Sequence, residues 1–230
     1  KELSATGSFD LFSNYGTFLN RQRFAPYIFA GVGVFHHNPR AVAPETDRDG
    51  NPLPEAGTWV ALRPLGTEGQ LDNTGTYDVK QYSNFQLSIP GGIGVRWLLD
   101  KRWDLELEAS YRYLLTDYID DVSGNYVDLG AVDGALAKTM SDRSMEQTAA
   151  IDGEPRDFNA INQVSRVITY TGIDGQTYQT YAGYGHDPTL NQNFTGSPNV
   201  RGLSGNDGMF TFQIRIIYIL TGSFSRAKFR

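Results

Sequence analysis

No cysteine occurs in the chain, and this absence removes a disulfide framework, a thiolate zinc site and a cysteine nucleophile together. Long hydrophobic runs are missing too. The longest stretch without charged or strongly polar side chains, Phe24 to Phe35, has twelve residues, against the roughly eighteen or more that a membrane-spanning helix needs. Cations are scarce, with 20 Lys and Arg against 26 Asp and Glu and a net charge of -6. Phosphate contacts need clustered Lys and Arg, so no nucleic-acid partner is expected. Lys1 runs directly into an alternating segment rather than a charged and apolar leader, so no signal peptide is expected among these residues. What is abundant is Gly 25, Tyr 13 and Phe 13, a composition suited to β-structure.

The period-2 template of a strand fits five segments. The first sets Leu3, Ala5, Gly7, Phe9 and Leu11 against Ser4, Thr6, Ser8 and Asp10. The second sets Ile28, Ala30, Val32 and Val34 against Tyr27, Phe29, Gly31, Gly33 and Phe35, with glycines marking the crowded face. In the third, Phe85, Leu87, Ile89, Ile93, Val95, Trp97 and Leu99 alternate with Gln86, Ser88, Pro90, Gly92, Gly94, Arg96 and Leu98. The turn Asp100-Lys101-Arg102 leads straight into Trp103, Leu105, Leu107, Ala109, Tyr111 and Tyr113, which alternate with Asp104, Glu106, Glu108, Ser110 and Arg112. These two segments predict a tight hairpin. The last sets Phe210, Phe212, Ile214, Ile216 and Tyr218 against Thr211, Gln213, Arg215 and Ile217.

Strands of soluble proteins usually run about five or six residues, and these run to ten or more. Asp10, Arg96, Glu106, Glu108, Arg112 and Arg215 fall in mid-strand on the non-apolar face. In an outer-membrane barrel the apolar face meets lipid and charges of this kind pair inside the lumen. Trp97 and Trp103, flanking the short turn, are placed for an interfacial aromatic girdle. A soluble lipocalin-like barrel or sandwich also fits the alternation; strand length and connection length favour the membrane form.

Residues 13–23 and 100–102 are short connections, whereas 37–80 and 120–207 hold 44 and 88 residues. Bacterial barrels keep short turns on the periplasmic side and long loops outside, so the two long connections are expected to be extracellular. Tracing the strands back from a periplasmic C-terminus starts the chain outside. An even strand number then requires three strands before Lys1, giving eight in all and a numbering that begins inside a longer precursor. The expected fold is thus all-β: a transmembrane, antiparallel, up-and-down barrel occupying 1–230 as one domain, with five of eight strands in this chain.

The long loops are acidic, with four basic and seven acidic residues in 37–80 and five against twelve in 120–207. Arg226, Lys228 and Arg230 form a basic end that is a candidate periplasmic contact. Within the larger loop, Gln163 to Thr171 and Gln176 to Ala182 flank Gly172-Ile173-Asp174-Gly175 as a hairpin, and Gly134 to Gln147 has a weak helical pattern. Asn193-Phe194-Thr195 matches a glycosylation sequon by chance. His36 and His37 at one rim, with Asp117, Asp120 and Asp121 at another, are the residues a rim hydrolase or a metal ion would use if the strands were adjacent. The expectation is nevertheless no catalytic residue, no cofactor and no metal.

Five ordered blocks carry a resemblance. They are Pro26-Tyr27-Ile28-Phe29-Ala30-Gly31-Val32-Gly33-Val34-Phe35-His36-His37-Asn38-Pro39, Pro64-Leu65-Gly66-Thr67-Glu68-Gly69-Gln70, Ile89-Pro90-Gly91-Gly92-Ile93-Gly94-Val95, Thr116-Asp117-Tyr118-Ile119-Asp120-Asp121-Val122-Ser123 and Ser141-Asp142-Arg143-Ser144. Together they resemble the PorG-like small outer-membrane β-barrels of Bacteroidota, accessory barrels of type IX secretion and gliding. The resemblance implies a bacterial outer-membrane location and a non-enzymatic scaffold for an envelope complex. Its implied partners are membrane lipid and other envelope proteins, a periplasmic ring lipoprotein or a larger outer-membrane complex. The insertion from Met145 to Asp207 departs from the compact family pattern. A stand-alone surface barrel whose large extracellular loops bind an external ligand or a larger outer-membrane complex is the alternative expectation.

Overall fold

The computed structural model describes residues 1–12, 22–148, 153–190, 199–202 and 205–220. Its strands are β1 (Glu2–Asp10), β2 (Phe24–His36), β3 (Arg40–Val42), β4 (Trp59–Ala61), β5 (Phe85–Asp100), β6 (Trp103–Leu114), β7 (Val167–Thr171), β8 (Thr177–Tyr181) and β9 (Gly208–Tyr218). Two short helices, α1 (Ala135–Ser141) and α2 (Phe158–Val164), and two single 3-10 turns, Arg63–Leu65 and Leu129–Ala131, complete the described elements. The chain divides into two compact units. The first comprises 1–35, 86–115 and 207–230, and the second 36–85 and 116–206.

The first unit is an antiparallel sheet in the order β1-β2-β5-β6-β9. β5 and β6 meet as the expected hairpin, pairing Ile89 with Tyr113 and Arg96 with Glu106, with a register shift only at Leu98/Asp100 beside the turn. β6 in turn pairs Glu106 with Arg215 and Trp103 with Tyr218 on β9. The sheet does not close on itself, so β1 and β9 remain its edges. β5 starts at Phe85, and β6 stops at Leu114, short of the loop expected from residue 120. Tyr82 is buried in the second unit with its hydroxyl on Asp121, and the Thr116 hydroxyl accepts from the Tyr118 amide, a local turn that competes with the ladder.

The sheet is strongly curled. Arg112 on β6 reaches Glu2 on β1 at 3.2 Å, although strands three apart lie about 14 Å from each other in a flat sheet. The concave face is polar and the convex face apolar, the reverse of a soluble sheet packed on a core. On the convex face Phe212 and Ile214 are 75% and 76% exposed, whereas Asp104 and Glu106 on the concave face are 6% and 4% exposed. Glycines permit the curl: a β-carbon at Gly92 would overlap the Ala109 carbonyl, and one at Gly94 would overlap the Tyr27 ring.

The second unit is built from the two long connections, which are folded rather than extended coil. β3 pairs with β4, and β7 with β8 through the hairpin anticipated around Ile173-Asp174. α1 lies within the weak helical pattern at 134–147, while α2 covers Gln163, which the sequence assigned to the hairpin; the Asp157 side chain caps α2 by accepting from the Ala160 amide. Its small apolar core is Val127, Val132 and Ala137 with Leu65 and Tyr77 against it. Among the described residues no helix is long and apolar enough to cross a membrane, which does not bear on strands.

Gly94→Val forces the Tyr27 ring off its seat. The expected cost is about 1–3 kcal/mol of overpacking, read as a lower urea midpoint, whereas Gly7→Val, at an outward position with nothing within 4 Å, leaves the midpoint within about 0.5 kcal/mol.

Candidate functional site

Strand parity brings the charged side chains of the first unit into one network on the concave face. Glu106 stands at its centre. Its Oε1 lies 2.6 Å from Arg215 Nη1, and its Oε2 accepts from Arg96 Nε at 3.1 Å. Arg215 Nη2 also reaches Glu108 Oε1 at 3.2 Å, and the Tyr27 hydroxyl donates to Glu108 Oε2 at 2.9 Å. The circuit closes through Arg96, whose guanidinium carbon sits 4.6 Å from the centre of the Tyr27 ring. Asp10 lies 3.6 Å from Arg96 Nη1, so all five strands contribute, and Arg112 with Glu2 adds a further pair between β6 and β1. The Arg112–Glu2 pair has ion-pair distance without the alignment of a hydrogen bond.

Each of the six residues singled out by alternation, Asp10, Arg96, Glu106, Glu108, Arg112 and Arg215, therefore lies on the concave face with an ionic partner. Sequence reasoning missed Glu2 and Tyr27. Glu2 extends the parity of Ser4 to Asp10, and Tyr27 shares the glycine-rich face, so period-2 counting carried to the strand ends finds both. Trp97 and Trp103 lie on the convex face. Phe24 meets Trp97 edge-on at 6.1 Å, and Trp103 packs on Tyr218 at 4.8 Å. Arg226, Lys228 and Arg230, and the sequon at 193–195, lie outside the described residues.

The second unit holds a separate polar centre. Glu68, 2% exposed, accepts from the Ser123 and Gly124 amides at 3.1 Å each and faces Arg201 at 3.4 Å. Asp121 accepts from the Thr67 hydroxyl at 2.6 Å and from the Tyr82 hydroxyl at 2.5 Å. Its backbone is left-handed, at φ 71°, a conformation Asp tolerates better than most residues. Burial pushes both carboxyls above their ordinary range, opposed by Arg201 and by their hydrogen-bond donors. Burial and the Asp121 carboxylate push the Tyr82 hydroxyl up as well.

The proposed rim cluster is dispersed over structural tasks. His37 places Nδ1 3.2 Å from the Asn84 carbonyl and Nε2 3.1 Å from the Tyr118 carbonyl, stacked on Tyr82. His36 packs edge-on against Phe85, Asp117 accepts from the Ser123 hydroxyl at 2.7 Å, and Asp120 accepts from the Val122 amide. Among the described residues no group of three or more His, Asp or Glu is placed to hold a metal ion. What the arrangement does chemically is to hold main-chain segments together.

No family model, no curated protein and no solved structure matches the chain. The likeness to the type IX accessory barrels accordingly stands on the five sequence blocks alone.

Glu106→Gln leaves two guanidiniums sharing a neutral amide. Breaking a buried pair costs roughly 3–5 kcal/mol, and because Arg215 is 46% exposed at its side chain the expected loss is about 2–3 kcal/mol, read from urea unfolding; Glu108→Gln costs less. A second outcome concerns His186, which is buried edge-on against Tyr170. Burial lowers its pKa, against the pull of Asp128 and the Tyr126 carbonyl. Unfolded histidine titrates near 6.5, so below about that pH the unfolded chain binds a proton that the folded chain refuses, and stability falls with pH. The urea midpoint of wild type, relative to His186→Gln and read by pulse proteolysis of the second unit, is expected to shrink between pH 7.5 and 5.5.

Proposed function

We propose that this chain forms part of a bacterial outer-membrane β-barrel that works as a non-enzymatic scaffold or accessory subunit of an envelope complex. One observation carries the reading: polarity is inverted across the sheet, with apolar side chains turned outward and a closed charge circuit turned inward. Water does not reward that arrangement, because exposed Phe and Ile forfeit their transfer energy while buried carboxylates incur desolvation. Lipid does reward it.

The dimensions support the same reading. Trp97, Trp103 and Tyr218 mark one end of the convex face, and Tyr111, Tyr113, Phe210 and Phe212 mark the other. Between Trp103 and Tyr111 or Tyr113 the strand rises about 26–33 Å. At the tilt of about 40° usual for barrel strands this is about 20–25 Å of height, close to the apolar band of outer-membrane barrels. Leu105, Leu107, Ile93, Ile214 and Ile216 fill the interval. Further strands pairing with β1 and β9 would complete an eight-stranded barrel, whose lumen is filled by side chains.

The two long connections leave the sheet at one strand end, β2 to β5 and β6 to β9, and the two short ones at the other. In an outer-membrane barrel the long side is extracellular, which makes the second unit an outside structure. Its buried carboxylates serve main-chain amides and hydroxyls and so hold the connections in one shape. The sequence blocks point to the type IX secretion machinery as the complex served.

Ile214→Arg discriminates the reading from a soluble sheet. In lipid the substitution costs about 2–4 kcal/mol near the midplane and is expected to deplete the protein from the outer-membrane fraction; unchanged or improved soluble recovery sinks the barrel. The wild-type chain, extracted in mild detergent and pulled down, is expected to bring envelope subunits with it, and recovery of the barrel alone moves the function to ligand binding by the second unit.

A further inference from the structure

Exposed cations are unevenly placed between the two ends of the sheet. At the short-turn end, Arg23 precedes β2, and Lys101 and Arg102 make the turn from β5 to β6; all three are exposed, and among the described residues of that turn the acid is Asp100. Asp10 and Asp104, near the same end, belong to the concave face, where Asp10 meets Arg96. The opposite strand ends bring Lys1 against Glu2 and Asp207, and Arg112 is held on the concave face by Glu2. Main-chain bonds fix the level of the short-turn cations. The Arg23 carbonyl accepts from the Leu98 amide at 2.8 Å, and the Arg102 carbonyl from the Ile219 amide at 2.9 Å. Leu98 adjoins Trp97 and Ile219 adjoins Tyr218, so both arginines stand level with the outward rings of that end. Arg102 Nη1 also donates to the Tyr218 hydroxyl at 3.4 Å, which holds this guanidinium beside those rings.

Resting on the barrel reading above, we infer that the short-turn end of the sheet is a seat for the phosphate headgroups of anionic phospholipid. Trp and Tyr on a membrane barrel settle at the level of the headgroups. A basic side chain beside them lays its methylenes on apolar surface and extends its charge to the phosphates, and the guanidinium fork matches two phosphate oxygens at once. Three cations against Asp100 leave a net attraction for a negatively charged leaflet, which a zwitterionic headgroup does not answer. At the other end of the convex face Tyr111, Tyr113, Phe210 and Phe212 supply rings, but the strand ends there are acidic in balance, so the preference belongs to the leaflet on the short-turn side. An acidic protein docked at this end would answer the charge and leave the outward rings without a role.

The chain has 3 tryptophans, and two of them, Trp97 and Trp103, stand at this end. Trp59→Phe, at an exposed position of the second unit, therefore leaves both remaining fluorophores beside the cations. This parent is extracted from native outer membranes and reconstituted into phosphatidylcholine vesicles, to which phosphatidylglycerol or phosphatidylcholine with brominated acyl chains is added in rising proportion. Brominated phosphatidylglycerol is expected to quench the tryptophans with a relative association constant about threefold or more above that of brominated phosphatidylcholine. That ratio is expected to fall to about one in Arg23→Gln/Lys101→Gln/Arg102→Gln, and in the parent when salt is raised to about 1 M. Where the triple variant does not insert, Arg102→Gln alone and the salt titration of the parent read the same ratio. Equal quenching by the two lipids in the parent overturns the inference, as does a preference that survives both the substitutions and the salt; in either case the barrel reading stands. A parent that stays in the soluble fraction and is quenched by neither lipid overturns the barrel reading, and this inference with it.

Discussion

A carboxylate withdrawn from water must find charge and hydrogen bonds or give up its proton, and Glu106 is where this constraint presses hardest. Its two oxygens hold Arg96 and Arg215 from the strands on either side. Those arginines in turn reach Asp10 and Glu108, and Glu108 holds the Tyr27 hydroxyl. Everything else on the concave face follows from keeping that group satisfied. Gly94 is bare so that Tyr27 lies flat above it, Gly92 is bare so that β5 and β6 close up, and the sheet curls until β1 comes within reach of β6.

The same constraint organises the second unit by different means. Glu68 is met by two main-chain amides and Arg201, and Asp121 by two hydroxyls, so carboxylates tie connections together where the apolar core is small. Asp72 and Asp47 do this locally, each accepting several amides of its own turn. Loops that cannot bury much hydrophobic surface are ordered here by acids and the donors they gather. The acidic balance of both long connections is in this light a structural property as much as a surface one.

The first unit was legible because period 2 is strict. Leu87 to Leu99 and Trp103 to Tyr113 alternate without a slip, and parity alone places Arg96, Glu106, Glu108 and Arg215 on one face. Parity does not say which strands neighbour one another, so the sharing of Glu106 between β5 and β9 needed the register. Glu2 and Tyr27 were overlooked at a strand end and on a face read as glycine-rich. The second unit was legible only in its hairpin and in α1. The Glu68 and Asp121 centre joins residues more than fifty positions apart, and no local pattern announces such a meeting. His37 shows the converse: set with Asp117 and Asp121 at the ends of different strands it reads as chemistry, yet its nitrogens face two carbonyls.

The circuit through Tyr27, Arg96, Glu106, Arg215 and Glu108 also has a consequence for how the strands assemble. A slip of one residue in any strand turns its whole inward set outward. Moving β9 by one place against β6 would put Arg215 on the convex side and leave Glu106 and Glu108 without it. Because the circuit draws on four strands, with Asp10 adding a fifth, an error in any one of them breaks bonds made by the others. The ring of charges is therefore complete only when every strand stands in its proper register, so its bonds are gained or lost together.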